Sequence, residues 1–500
     1  MGEAQGTLFE PEFNRSIKVQ TSDQRITSRA GALLLRELDH RLGLVESLSE
    51  QIADPRRSDR IRYTAVELLR ERIYALALGD AHQDDLDRLA HDPAMRMATW
   101  DRPGEDVLAE RLASQPTQSR MIDWLASPEN REALRRGLFD WTHRHLRSTG
   151  VAADHAVMRA TIDVDSFPIE IHGRQQGGSY NGYYRDTVYH PQVASFSVHG
   201  DYDSTREGHR LGNGFLHATL RQGQVHTAQG ARRFMQRVVE HARQMARSFD
   251  LRLDAGYTIG AVMDDLSDGG VRFCGRLKKN AVLDRLAEPH LGRPPGRPPA
   301  GGYEDVIELG RHQAEGWRRS QRLILVVVDQ PDPKTGQLNL LPRYLFLVTN
   351  WPKTLRSGEQ LLAHYRKRGT FEDRLGEFQE AVGPHLSSLE FVENETTMLL
   401  AMLAFNVSSM LRNELEDALG GCWDLHRFQQ SVLRAGGRVV KHARRLWLHV
   451  EQAVERFWSV ATQRISQLRL PARWRSPRGP RRSRWTPPPD HASLQVVLRE

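Results

Sequence analysis

The chain's 500 residues exceed what one simple hydrophobic core organises, so two or three domains are expected, and its net charge of +7 suits a polyanionic partner such as nucleic acid. Only two cysteines occur, Cys274 and Cys422, far apart in sequence, which argues against a disulfide framework or a cysteine-based zinc site and fits a reducing cytoplasm. The opening MGEAQGTLFEPEFN has no apolar stretch of a secretory signal, and the longest apolar run, Leu323 to Val328, is strand-sized, so no membrane partner is expected.

Residues 1–27 are polar and read as a flexible arm. Residues 28–150 read as helices: leucines at 34, 35, 38, 42 and 48 make a helical stripe, and Ser58 and Asp59 are placed to cap a second helix ending at Gly79. This block either braces the rest by packing or binds DNA ends. Arg56, Arg57 and Arg60, clustered at a helix start, are its candidate phosphate contacts.

From about residue 158 the period changes to two. MRATIDVDSFPIEIHG alternates apolar and polar residues and puts Asp163 and Asp165 on one strand face. Further strands are predicted at TVYHPQVASFSV and GNGFLHATLRQG, then a helix in AQGARRFMQRVVEHARQMARSF. A strand in LRLDAGY follows, with Asp254 near its end, then a helix in GAVMDDLSDGG and a strand in VRFCGRL. Three strands, a helix, a strand and a helix is the element order of a ribonuclease-H-like core.

That core is expected to span 151–280 and 353–420, interrupted by a β-rich insertion over 281–352. The insertion holds a Pro/Arg/Gly loop, HLGRPPGRPPAGG, and two strands around a turn at Thr335-Gly336. Residues 393–420 read as a largely apolar core or subunit-packing helix. Two basic helices are expected within 421–468, and the Pro/Arg-rich tail, 469–500, reads as disordered. The fold class predicted is α/β: a ribonuclease-H-like core with a β-rich insertion, an N-terminal helical domain and C-terminal helices.

The stretch HYRKRGTFEDRLGEFQ places Tyr365, Arg368 and Glu372 at steps of three and four, which on a helix bring a phenol, a guanidinium and a carboxylate to one face. A lone helix acid is ordinarily a solvated surface residue. With two strand aspartates upstream, the same acid completes a set able to hold two divalent metals for phosphodiester chemistry.

Several segments together resemble the DDE transposases of bacterial insertion sequences, in the branch with a Tyr-Arg-Glu-Lys signature and nearest to the insertion-sequence group numbered 1380. They are GALLLRELDHRLGL, LASQPTQSR, TIDVDS with HGRQQGGSYNGYY, RQGQVHTAQGA, LRLDAGY with RLKKNAVL, and VTNW before YRKRGTFEDRLGEF, in that order. The resemblance implies a catalytic and metal-binding triad of Asp165, Asp254 and Glu372, with Asp163 the alternative first acid. Family members usually carry that acid directly before Ser or Thr, which favours Asp165-Ser166. Two Mg²⁺ ions per site, with Mn²⁺ as a substitute, are implied as cofactors.

The partners implied are double-stranded DNA, as terminal inverted repeats and target, and a second copy of the chain when bound to DNA. The location implied is the bacterial cytoplasm, at the nucleoid. Tyr365, Arg368, Lys278 and Gln379 are the implied DNA contacts; Gln379 stands where the signature has lysine and donates hydrogen bonds without a charge. Hairpin-forming relatives stack a flipped base on a tryptophan of the insertion, for which Trp317 and Trp351 are candidates, each with a core or strand-end role as the alternative. A ribonuclease-H-like nuclease without strand transfer, and a domesticated non-catalytic DNA-binding protein, are the competing readings.

Overall fold

The computed structural model describes residues 7–469 apart from 10, 15, 21–23, 103, 150–156, 199–213, 294–301, 332–341, 422 and 443–444. The turn expected at Thr335-Gly336, most of the Pro/Arg/Gly loop, Cys422 and the tail from 470 lie outside the described residues.

The N-terminal block is helical: α1 (Ala32–Leu42), α2 (Ala65–Ala77), α3 (Gln115–Leu125) and α4 (Pro128–Ser148) are its longer elements. The second helix does not start at Ser58-Asp59, which form only a single 3₁₀ turn. It starts after Thr64, whose hydroxyl accepts from the Glu67 amide while Glu67 accepts from the Thr64 amide. That reciprocal cap satisfies two amides that a helix start otherwise leaves bare, and outcompetes the earlier Ser-Asp pair.

Next comes an eight-stranded mixed sheet. Its strands are β1 (Val157–Ser166), β2 (Gln192–Val198), β3 (Gly214–Thr219), β4 (Ala246–Leu253), β5 (Arg272–Leu277), β6 (Tyr303–His312), β7 (Gln321–Asp329) and β8 (Arg343–Thr349). Their spatial order is β6-β7-β8-β5-β4-β1-β2-β3. β1, β4 and β5 run parallel, whereas β2 and β3 on one side and β8, β7 and β6 on the other pair antiparallel. The strands of 281–352 therefore make no sheet of their own; β8 pairs with β5 and continues the same sheet.

Alternation along β1 and β4 gives the sheet two different faces. Ile162, Val164, Leu251 and Leu253 point to one, where they are fully buried with Phe273 under α5 (Ala231–Met245) and α6 (Gly260–Asp268). Helix α5 is amphipathic, burying Phe234, Met235, Val238, Ala242 and Met245 at helical spacing. Asp163, Asp165 and Arg252 point to the other face, below α7 (Gly358–Arg366) and α8 (Gly369–Ala381).

Helix α9 (Phe391–Glu414), the apolar helix of the sequence, is the spine of the molecule and shares one core with α1–α4. It also covers the β3 edge: Asn406 accepts from the Phe215 amide at 2.8 Å and donates to the Phe215 carbonyl at 2.9 Å, and Glu395 accepts from the Leu220 amide at 3.1 Å. Among the described residues no helix is long and apolar enough to cross a membrane.

Two expectations are corrected at the termini. The first of the two helices expected within 421–468 is mostly a β-hairpin, Gly437–His442 with Arg445–Val450; only Glu455–Gln467 (α10) is a long helix there. The arm is not wholly free either, because Arg25–Thr27 pairs with that hairpin. The basic residues of 437–450 suit either structure, and a third strand from the far end of the chain decides for the hairpin.

Candidate active site

The site is laid down by strand register. On the parallel pair β1 and β4, Thr161 pairs with Asp250, Asp163 with Arg252 and Val164 with Leu253. One step further Asp165 and Asp254 leave neighbouring strands at the same level, about 5 Å apart at the spacing of adjacent strands. Asp254 then enters a turn: its carbonyl accepts from the Tyr257 amide, and its carboxylate from the Gly256 amide at 3.3 Å. Gly256 is required by close approach, since a Cβ there would lie 2.4 Å from the Thr227 side chain.

Below this level the polar residues of the same face are committed to one another. Asp163, fully buried, accepts from Arg252 Nε and Nη2 at 2.7 and 2.6 Å, while Arg252 Nη1 donates to the His364 carbonyl at 3.1 Å. Thr161 donates to Asp250, and His364 Nε2 lies 2.8 Å from the same carboxylate. Burial pushes Asp250 up, but His364, Arg356 and Thr161 outweigh it and hold the carboxyl below its ordinary value. These ties fasten α7 to the sheet. Asp163 thus has a structural partner, and Asp165 is the acid of the pair that reaches the open end.

The helix bearing Tyr365 and Glu372 is not continuous. α7 ends at Arg366, α8 begins at Gly369, and Lys367-Arg368 form the joint with near-helical angles, so the stacking of one face survives the break. Arg368 is only 7 % exposed. Its Nη1 donates to Glu372 at 2.6 Å and its Nη2 to Asp165, so a strand acid and a helix acid share one guanidinium. Asp165 also accepts from its neighbour's amide, Ser166, at 2.8 Å, which fixes the carboxylate's direction.

Burial lifts the Asp165 carboxyl to about 6; Arg368 opposes the rise, while Asp254 and Glu372 add to it. Burial works against the charge on Arg368, yet Asp165, Tyr365, Asp254 and Glu372 together hold its proton more firmly than usual. Burial also raises the Tyr365 phenol, partly offset by Arg368.

Three further residues at this end of the sheet have no role assigned from the sequence, although each lies in a segment that carries the family resemblance. Tyr184 is pushed up to about 12, first by burial and then by Asp165, Tyr183 and Asp254. Arg221, 8 % exposed, donates to the carbonyls of His190, His226, Thr227 and Gln229 and so shapes the loop beside Asp254. Arg276 follows Gly275, the partner of Leu253, and so stands level with Asp254 on the next strand; it is exposed and adds positive charge near Tyr365. Only this last position is recoverable from periodicity, once parallel pairing of the two strands is assumed.

The other sequence-derived candidates lie around or away from this point. Lys278, exposed, directly follows β5 at the same sheet end. Gln379 lies on α8 and donates to the Pro168 carbonyl at 3.1 Å, just beyond the end of β1. Trp317 packs in the opposite core, over Gly260 and His312. Trp351 lies beneath the guanidinium of Arg356, 4.4 Å away, beyond the end of β8 and level with Asp250 rather than Asp254. In the N-terminal block, Arg56 is bound to Asp54 and the Tyr63 carbonyl, Arg57 pairs with Asp59 on the surface, and Arg60 is exposed.

Three carboxylates with excess negative charge are the oxygen donor set that Mg²⁺ or Mn²⁺ takes, so the residues fit such ions chemically. Among the described residues, however, no three of His, Cys, Asp or Glu stand close enough together to hold a metal. The Arg368 guanidinium lies between Asp165 and Glu372 instead.

Residues 9–470 match the family described as Transposase DDE domain group 1. No curated protein matches the chain. Among solved structures the chain is similar to the piggyBac transposase synaptic complex with hairpin DNA, with a TM-score of 0.42 and 12% identity over 89% of this chain and 84% of that one.

Proposed function

This chain belongs to the DDE transposase family, and from that membership we propose that it binds the terminal inverted repeats of an insertion sequence, cuts phosphodiester bonds there and joins the freed 3′-OH ends to target DNA. In this reading β1–β5 with α5 and α6 are a ribonuclease-H-like core, the element belongs to the group numbered 1380, and two copies act together on DNA. The observation that carries it is the convergence of Asp165 and Glu372 on one guanidinium, with Asp254 leaving the adjacent strand level with Asp165.

Asp165, Asp254 and Glu372 are assigned as the ligands of two divalent cations, Mg²⁺ or Mn²⁺. When bound, such ions supply the charge that activates a nucleophile and steadies the leaving 3′ oxygen. The chain's own work is positioning. Asp165 is aimed by the Ser166 amide and Asp254 by its turn, whereas Glu372, whose side chain is 62 % exposed, is the acid free to adjust. Arg276 and Lys278 give the open sheet end the charge to hold phosphates, and Arg368 and Gln379 flank the cut strand. The Tyr365 phenol, half-buried beside Arg368, is assigned as a further contact to that strand.

The test is cleavage and joining of duplexes ending in the element's own inverted repeats, with Mg²⁺ present. Asp165→Asn, Asp254→Asn and Glu372→Gln should each abolish both steps and leave repeat binding intact. Retained cutting by any one of them removes that residue from the triad.

A further inference from the structure

Arg368 occupies a place for which its chemistry is only half suited. It is 7 % exposed, two of its nitrogens serve Asp165 and Glu372, and its Nε is buried with no hydrogen-bond partner. One positive charge faces three carboxylates there. An arginine at home in a buried site has its whole donor fork satisfied. This one sits on a two-residue joint between α7 and α8, where the side chain can turn without breaking a helix. Arg276 and Lys278 line the same end of the sheet and would draw a phosphate to it.

We propose that Arg368 is an internal counter-cation that keeps Asp165 and Glu372 from divalent ions until a DNA phosphate takes the guanidinium away. The inference rests on the assignment of the three acids as metal ligands. A phosphodiester offers two oxygens in the spacing a guanidinium fork accepts, so the exchange replaces two carboxylate bonds with two phosphate bonds. Asp165 stays aimed by the Ser166 amide after the arginine leaves, and Glu372 is released toward solvent. Metal loading is then coupled to DNA binding, and by linkage each must favour the other equally. In this scheme the chain holds few metals while it is free of DNA.

The experiment is direct Mn²⁺ binding to the full chain, by titration calorimetry and by the spin-resonance signal of free Mn²⁺. It compares wild type, Arg368→Gln and Arg368→Lys, each with and without a mixed-sequence DNA duplex, and subtracts the duplex's own uptake. Without DNA, R368Q should bind Mn²⁺ on the order of tenfold tighter than wild type. Adding duplex should tighten wild type by a similar factor and leave R368Q unchanged. R368K keeps the charge but cannot span both acids, so it should fall between. If R368Q does not melt cooperatively, R368K against wild type decides the matter in the same sense.

Equal affinity of wild type and the arginine variants without DNA overturns the counter-cation while leaving the metal site standing. If no protein takes up Mn²⁺ with or without DNA, or if Asp165→Asn with duplex present takes up as much as wild type with duplex, the metal-ligand assignment itself has failed.

Discussion

Asp163 and Arg252 face each other across the parallel strands β1 and β4 and close a two-pronged ion pair that solvent does not reach. The pair lies one strand level below Asp165 and Asp254, and through the His364 carbonyl it also holds α7 in place. The two aspartates of the Asp-Val-Asp motif therefore do different work, one as a brace and one at the open end.

Removing one partner of such a pair leaves the other charged, buried and alone, which costs about 3–5 kcal/mol. Asp163→Ala should lower the melting temperature sharply, while Asp163→Leu combined with Arg252→Met should recover most of the loss. Asp165→Asn should leave the melt near wild type. Thermal denaturation of the four proteins checks this, and a fragile D165N beside a robust D163A would exchange the two roles.

The carboxyl of Glu71 gives a pH signature far from the acids. Burial raises it to about 8, although Gln118 and the Ala113 amide donate to it. A raised acid holds its proton in the folded state while the unfolded chain has released it. Stability is therefore full below the ordinary carboxylate range and falls as pH rises toward 8, by at most about 1.4 kcal/mol per unit. Glu71→Gln keeps both hydrogen bonds to its oxygen and cannot ionise. It should match wild type near pH 4 and melt progressively higher than wild type up to pH 8; parallel curves across that range would contradict the burial argument.

Gln379 offers a gain-of-grip test. It occupies the signature's lysine position, and its amide is tied only to the Pro168 carbonyl on the surface. Gln379→Lys should tighten binding to any duplex and steepen the dependence of log affinity on log salt by about one unit. Binding titrations over a salt series decide, and an unchanged slope would place residue 379 away from the phosphates.

The N-terminal arginines divide by what they already hold. Arg56 is engaged by Asp54 and the Tyr63 carbonyl and lies over Trp124, so Arg56→Ala should destabilise the block. Arg57 and Arg60 are surface residues. If the block grips DNA, replacing both with alanine should flatten the salt slope by about two units without changing the melt. A flat response would move end recognition to another surface.

The sheet was legible where burial enforces a period. Ile162 and Val164 alternate with Asp163 and Asp165 because one face of β1 must meet α5 and the other must not, and this puts the acids on a common face in the sequence itself. The Arg368–Glu372 contact follows likewise from a step of four. What stayed unreadable depends on distant partners. The hairpin of 437–450 is settled by pairing with Arg25–Thr27, about which its own residues say nothing. Tyr184 and Arg221 lie in segments that carry the family resemblance, yet no period ties them to the acids; the loops that hold them set Tyr184 near Asp165 and Asp254 and Arg221 near Tyr184.

The amide of Asn406 does for β3 what a ninth strand would do, giving to and taking from the same residue, Phe215. An open strand edge is a template for another chain; α4 packs on β3, but the hydrogen bonds described at this edge come from a helix that is made late. On the ribosome, β3 emerges well before α9, and at ordinary synthesis speeds the rail stays exposed for many seconds. A chain ending just ahead of Phe391 would hold all eight strands and lack the Asn406 and Glu395 bonds to the β3 edge. Closure of this edge therefore waits on α9, an element well over a hundred residues further along the chain.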